Sequence, residues 1–136
     1  MSRILGLDFG TKRTGIATTD PLQIIVNPLD VVLTKDLYDF LDNYLKTEDV
    51  EKIVIGQPKQ YNGSPVYFEK NIQELITKLK KDFPSIQIAR QDECLSSFEA
   101  KDVLVKMGMK KKKRQDKSML DKVSSVLILQ RYLNHI

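Results

Sequence analysis

The 136-residue chain, with 41% hydrophobic and 29% charged residues, has the length and composition of one folded domain rather than of a disordered segment. Its net charge is +4. No apolar run is long enough to span a bilayer, so no membrane segment is predicted. A strand-like run follows directly after Met1-Ser2-Arg3, which leaves no room for a signal peptide. We therefore expect one cytoplasmic domain over residues 1–136.

The soft metal ligands of the chain are few. Because Cys94 is the single cysteine, the chain cannot form an internal disulfide. Cys94 and His135 are its only cysteine and histidine, which are too few ligands for a zinc cluster. Any bound metal would have to be a hard cation held by carboxylates.

The positive charge is concentrated in one segment. Residues 101–117 contain eight basic and two acidic side chains and carry +6, so the rest of the chain carries −2. Such a segment suggests a polyanionic partner, with nucleic acid as the first expectation and a membrane surface as the second. On charge alone, a solvated loop fits equally well.

Three strand-like segments come first in the chain, over residues 3–9, 14–19 and 24–33. A glycine-containing turn joins the first two segments, which predicts a β-hairpin. Asn27-Pro28 interrupts the third segment and indicates an irregularity or an edge position. Because the connections are short, the three segments predict an antiparallel meander.

The pattern then alternates between helices and strands. Apolar residues at helical spacing indicate the helices, and short, continuously apolar runs indicate buried parallel strands. The remaining elements are predicted to be helices over 35–47, 68–83, 96–108 and 118–133, strands over 52–56 and 86–91, and a basic loop over 109–117.

The predicted fold class is α/β, with a mixed five-stranded sheet whose first three strands are antiparallel and whose faces are covered by helices. Ligands of such sheets bind beyond the carboxyl ends of the strands. Asp8 ends the first strand, Gly56-Gln57-Pro58 the fourth and Asp92-Glu93 the fifth. We expect these three positions on one rim of the sheet.

Three acids from separate elements are the candidate catalytic and metal-binding residues: Asp8, Glu93 and Asp121, with Asp92 as the alternative to Glu93. Like charges at close range are compatible when a divalent cation holds them. Mg²⁺ or Mn²⁺ bound by carboxylates suits two-metal-ion hydrolysis of phosphodiester bonds.

Each acid also has a simpler interpretation. Asp8 could be a turn former at a strand end. The Asp92-Glu93 pair could begin a loop or cap the helix that follows, and Asp121 could interact with the dipole of the last helix.

Basic and small residues complete the predicted site. Gly10, Thr11, Gly56 and Pro58 are expected to line it. The residues expected to contact a nucleic-acid backbone are Lys12, Arg13, Lys110, Lys111, Lys112, Lys113 and Arg114.

Four segments together resemble one known family. The segments are ILGLDFGTKRTGIA (4–17), VIGQP (54–58), DECLSS (92–97) and DKVSSVLILQ (121–130). In this order they look like the YqgF (RuvX) family, and the resemblance covers nearly the whole chain.

The resemblance implies a ribonuclease H-like fold related to RuvC. It also implies either Holliday-junction resolution or maturation of the 5′ end of the 16S rRNA precursor. By matching motif, Asp8, Glu93 and Asp121 would be the metal-binding acids. The chain departs from the family pattern at Gln57, at Cys94 where an arginine is usual, and at Ser124-Ser125 where Ala-Ala is usual.

Two other classes of function remain open at this point. The Asp-x-Gly-Thr motif also resembles the first phosphate loop of actin-like ATPases, but a chain of this length lacks their second domain. A non-catalytic RNA- or ribosome-binding module would use the basic segment alone. The sequence leaves open RNA or branched DNA as substrate, contact with ribosomal particles, and a monomer or a homodimer.

Overall fold

The computed structural model describes residues 2–58, 66–92 and 117–134, the first six residues of the last stretch by their backbone alone. The strands are β1 (Arg3–Asp8), β2 (Arg13–Thr19), β3 (Val26–Leu33), β4 (Val50–Gln57) and β5 (Gln87–Asp92). The helices are α1 (Leu37–Thr47), which a 3₁₀ turn (Thr34–Asp36) precedes, α2 (Glu69–Asp82) and α3 (Lys117–Tyr132).

The five strands form one mixed sheet in the order β3-β2-β1-β4-β5. β1 pairs antiparallel with β2, and β2 pairs antiparallel with β3. β4 runs parallel to both β1 and β5. The predicted mixed sheet with an antiparallel first half is confirmed, and β1 lies at its centre.

The predicted elements have the right type, with shifted ends. β1 ends at Asp8 rather than at residue 9, and the ring of Phe9 stacks on Phe68 with ring centroids 6.2 Å apart. β4 is longer than predicted. The irregularity in the third strand is confirmed as a register shift between Ile16 and Ala17, beside Pro28. The predicted helix over 96–108 and residues 109–116 of the predicted basic loop lie outside the described residues, and Lys117, predicted to end that loop, begins α3.

One face of the sheet carries α1 and α2. Leu5 and Leu7 from β1 and Ile53 and Ile55 from β4 are fully buried there. They pack against apolar side chains of the two helices, namely Leu37, Leu41, Ile72, Ile76 and Leu79. Of the two hydrophobic clusters formed by the described residues, this is the larger, and we call this side the α1/α2 face.

The opposite face carries α3. Ile4, Ala17 and Val54 from three neighbouring strands pack there against Ile128 and Leu129. None of the helices in the described stretches is both long and apolar enough to cross a membrane.

Candidate functional site

The carboxyl ends of three neighbouring strands meet at one edge of the sheet. β1, β4 and β5 are parallel, and the register pairs Leu7 with Ile55, Ile55 with Arg90, and Gln57 with Asp92. Asp8 is the last residue of β1, and Asp92 is the last residue of β5. The structure therefore brings Asp8, Gly56 and Asp92 to a common edge, which we call the rim.

Asp8 and Asp92 occupy this rim on opposite faces. Successive side chains of a strand alternate between faces, so half-buried Asp8 shares the α3 face with Ile4. Asp92 shares the α1/α2 face with Ile88 and with Arg90, whose side chain reaches α2. Asp8 therefore points to the side of the sheet that α3 covers, and Asp92 points away from it.

The close approach of α3 to β1 depends on Gly6. A Cβ atom at Gly6 would lie 2.5 Å from Cγ of Leu129 and 3.1 Å from the backbone oxygen of Ser125. Ser125 is fully buried, and Ser124 is 5% exposed. A side chain on residue 6 would displace Leu129 and press on the backbone of the helix, so glycine at this position allows the close approach.

The direction of α3 places its beginning near the rim. Nζ of Lys52 donates to the hydroxyl of Tyr132 at 2.7 Å, and Lys52 is the register partner of Ile4. The end of α3 thus lies near the start of β1, and the helix runs opposite to that strand. Residue 121 precedes Ser125 by one turn, about 6 Å along the helix axis. Asp8 lies beyond Gly6 by about 7 Å along β1. The backbone of residue 121 therefore lies towards the Asp8 end of β1.

The turn that follows Asp8 is tightly built. A Cβ atom at Gly10 would lie 2.4 Å from the backbone oxygen of Arg13, so this position requires glycine for close approach. In this turn Thr11 and Lys12 are exposed, while Arg13 is half-buried. Lys12 is thus accessible at the surface in the turn that follows Asp8.

An ion pair that the sequence did not predict holds the rim at β4. The guanidinium of Arg90 donates to both carboxylate oxygens of Glu69, at 2.7 and 3.1 Å. It also donates to the backbone oxygens of Ile55 at 3.2 Å and Gly56 at 3.0 Å. Arg90 therefore ties the end of β4 to the first residue of α2. The sequence held one signal for this pair: Arg90 lies two residues after Ile88 and therefore points to the same buried face, where a charged side chain needs a partner.

The other predicted site residues are only partly described. Pro58 is half-buried and directly follows β4. Glu93 and the cluster of Lys110, Lys111, Lys112, Lys113 and Arg114 lie outside the described residues, as does the side chain of Asp121. Among the described residues, no three metal-binding side chains lie together. The Asp8 carboxylate is nevertheless the kind of hard oxygen ligand that Mg²⁺ and Mn²⁺ prefer.

Known relatives cover almost all of the chain. A protein of Bacteroides fragilis, named "Putative pre-16S rRNA nuclease", is 46% identical over 133 residues, which are 98% of this chain and 96% of that protein. A protein of the same name from Christiangramia forsetii is 44% identical and matches 98% of each chain.

Solved structures show the fold. The Fowlpox virus resolvase in complex with Holliday junction DNA superposes with a TM-score of 0.58 at 12% identity, over 98% of this chain and 97% of that one. RuvC of T. thermophilus in complex with a Holliday junction substrate also gives a TM-score of 0.58 at 12% identity, over 98% and 96%. The predicted ribonuclease H-like, RuvC-related fold is confirmed.

The family model described as "RuvX: Holliday junction resolvase" matches residues 2–135. This match leaves the actin-like ATPase interpretation without support, because it accounts for the Asp-x-Gly-Thr segment within a different family. The chain belongs to the RuvX family.

Proposed function

We propose that this protein is a metal-dependent nuclease that cleaves phosphodiester bonds in structured RNA, with the precursor of 16S rRNA as its substrate class. The observation that carries the proposal is the position of Asp8. It is a half-buried carboxylate at the end of the central strand, on the face that α3 covers. The names of the relatives at 44–46% identity support the choice of substrate.

The proposed acids are Asp8, Glu93 and Asp121. Asp92 is a weaker choice than Glu93, because the alternation of β5 puts Asp92 on the α1/α2 face. The course of α3 supports Asp121, since the backbone at this position lies towards the Asp8 end of β1. Asp8, Glu93 and Asp121 would hold Mg²⁺ or Mn²⁺, and the bound ions would activate water and stabilise the leaving oxygen.

The remaining residues of the site have binding and positioning roles in this proposal. Lys12 is exposed in the turn after Asp8 and would contact a phosphate of the substrate. Arg90 fixes the backbone at Gly56 and so shapes the adjoining part of the rim. The basic residues from Lys110 to Arg114 would bind the nucleic-acid backbone without sequence preference.

Resolution of Holliday junctions is the second candidate function. The description of the family and the likeness of the fold to two junction resolvases favour it. Symmetric cutting of a junction needs two active sites, so this function requires a homodimer, whereas processing of an rRNA end can be performed by a monomer. Measurement of molar mass by light scattering, with and without junction DNA, shows whether the protein is a homodimer or a monomer.

The test compares cleavage of an RNA that carries the 5′ precursor of 16S rRNA with cleavage of a four-way DNA junction, each with Mg²⁺ and with Mn²⁺. Asp8→Asn and Asp121→Asn should abolish cleavage, because each removes a proposed metal ligand. Asp39→Asn, an equal change of charge at an exposed position of α1, serves as the control. Equal cleavage by wild type, Asp8→Asn and Asp121→Asn would overturn the assignment of these acids. Absence of cleavage of both substrates by the wild-type protein would leave a non-catalytic RNA-binding module as the remaining function.

A further inference from the structure

Thr34 forms hydrogen bonds to two residues of the turn that follows Asp8. Its hydroxyl donates to the backbone oxygen of Gly10 at 2.6 Å. Its backbone N–H donates to the backbone oxygen of Lys12 at 2.9 Å. One residue thus fixes two points of the connection between β1 and β2.

A second threonine fixes the orientation of the Thr34 hydroxyl. The hydroxyl oxygens of Thr14 and Thr34 are 3.0 Å apart. Because the Thr34 proton is directed at Gly10, the Thr14 hydroxyl is the donor in this pair. Thr14 is fully buried, whereas Thr34 and Gly10 are half-buried, so the chain Thr14–Thr34–Gly10 is shielded from water at its Thr14 end.

The location of Thr34 gives these contacts a consequence for the site. Thr34 is the first residue after β3, so it ties the turn to the third strand as well as to the hairpin itself. The turn begins directly after Asp8 and carries Lys12, so its geometry affects both residues. A displacement of about 1 Å in a catalytic group is enough to lower a reaction rate about 100-fold.

We propose that Thr34 is a positioning residue, whose hydroxyl fixes the Gly10 turn and thereby sets the orientation of Asp8 and Lys12 towards a bound nucleic acid. This inference rests on the proposed nuclease function. Thr34 itself does not contact substrate or metal in this role, and it acts through the backbone of the turn.

The discriminating variants are Thr34→Val and Thr34→Ser. Valine removes the hydroxyl but keeps the shape and the backbone N–H, whereas serine keeps the hydroxyl. Thr77→Val is the matched control, since the Thr77 hydroxyl donates to the backbone oxygen of Gln73 at 2.9 Å on the exposed side of α2. We expect kcat to fall about 10- to 100-fold in Thr34→Val and to stay near wild type in Thr34→Ser and Thr77→Val.

Two further measurements separate positioning from general destabilisation. In Thr34→Val, the concentration of Mn²⁺ for half-maximal cleavage should rise, and amide hydrogen exchange should accelerate at residues 10–14 and at residue 34. Exchange in α2 and β5 should stay unchanged. Wild-type kcat and exchange in Thr34→Val, or an equal loss of kcat in Thr34→Ser, would overturn the inference.

Failure of the proposed function gives a different pattern of results. If the wild-type protein cleaves nothing, the nuclease proposal fails and the exchange measurement decides the role of Thr34. Faster exchange confined to the turn then supports Thr34 as the residue that holds it, and unchanged exchange overturns that role.

Discussion

The two faces of the sheet are built in different ways. The α1/α2 face carries large, fully buried aliphatic side chains such as Leu7 and Ile55, and two helices pack on it. The α3 face carries Gly6 and Ala17 beside a helix that presents Ser125. Large side chains bury more apolar area, whereas small ones allow close approach of the backbones. Among the described residues, the first face thus buries more apolar side chains, and on the second face the helix approaches the sheet closely with its first turns towards the rim.

The largest expected effect tests whether the chemistry belongs to the α3 face. Asp8→Asn should lower kcat/KM on the order of 1,000-fold, since loss of a direct metal ligand exceeds the 10–100-fold cost of outer-shell changes. Asp92→Asn removes the same charge from the opposite face of the same rim and should stay within about 3-fold of wild type. Initial rates with saturating Mn²⁺ provide the comparison. A greater loss in Asp92→Asn than in Asp8→Asn would contradict the assignment of faces.

Truncation on the α1/α2 face should affect stability most. Leu7→Ala removes a fully buried side chain and should reduce the free energy of unfolding by about 2–5 kcal/mol. Urea unfolding followed by circular dichroism measures this change. Leu22→Ala, at a side chain that is 57% exposed, is the control and should cost far less. A loss in Leu7→Ala as small as the loss in Leu22→Ala would show that the α1/α2 face contributes little to stability.

Added volume on the α3 face should cost less stability but alter the site. Gly6→Ala places a methyl group against Leu129 and should cost about 1–3 kcal/mol. Because the helix must shift, kcat should fall more than the stability loss explains.

A double-mutant cycle tests this contact directly. Leu129→Ala removes the Cγ atom that the new methyl group meets, so the two substitutions together should cost less than the sum of their separate effects. Strict additivity would mean that Gly6 does not set the distance between β1 and α3.

The Arg90–Glu69 pair links the α1/α2 face to the rim. Its side chains are 18% and 15% exposed, so Glu69→Gln should cost about 1–2 kcal/mol by weakening a partly buried, charge-assisted pair. Lys46→Gln, which breaks the exposed Lys46–Asp42 pair, is the control and should cost no more than about 0.5 kcal/mol. Thermal unfolding at two salt concentrations distinguishes the pairs, since salt should remove most of the small contribution of the exposed pair and leave that of Arg90–Glu69 largely unchanged.

The smallest expected effect lies in the loop between β2 and β3, away from both faces. Backbone N–H groups of Ile25, Ile24 and Leu22 donate to the Asp20 carboxylate and lower its pKa below the usual 3.8. The lowered pKa stabilises the fold at pH values above 3.8, and this contribution disappears as the pH falls through the folded-state pKa. Asp20→Asn should therefore flatten the stability profile slightly below pH 4. An unchanged acid limb would contradict this role.

The sequence predicted the sheet well because its signals were local. Alternation, turns and helical spacing located the described strands and helices within a few residues, and the parallel pairing of β1, β4 and β5 followed from their order. The face of each acid was harder to predict. Ile53-Val54-Ile55 is apolar on both faces, so its sequence does not show which side chains point to which face of the sheet. The contacts of Thr34 and Arg90 join residues 24 and 21 positions apart, and no periodicity marks such pairs.

The position of α3 in the chain has a consequence for folding during synthesis. β1 leaves the ribosome before its partner β4, which follows more than 40 residues later, and before α3, which follows more than 100 residues later. Until α3 arrives, Ile4, Ala17 and Val54 lack the contacts with Ile128 and Leu129 that bury them in the folded chain. Such distant contacts slow folding and leave apolar surface open to chaperones or to other nascent chains. The helix that sets the distance to β1 thus also determines when one side of the sheet becomes protected.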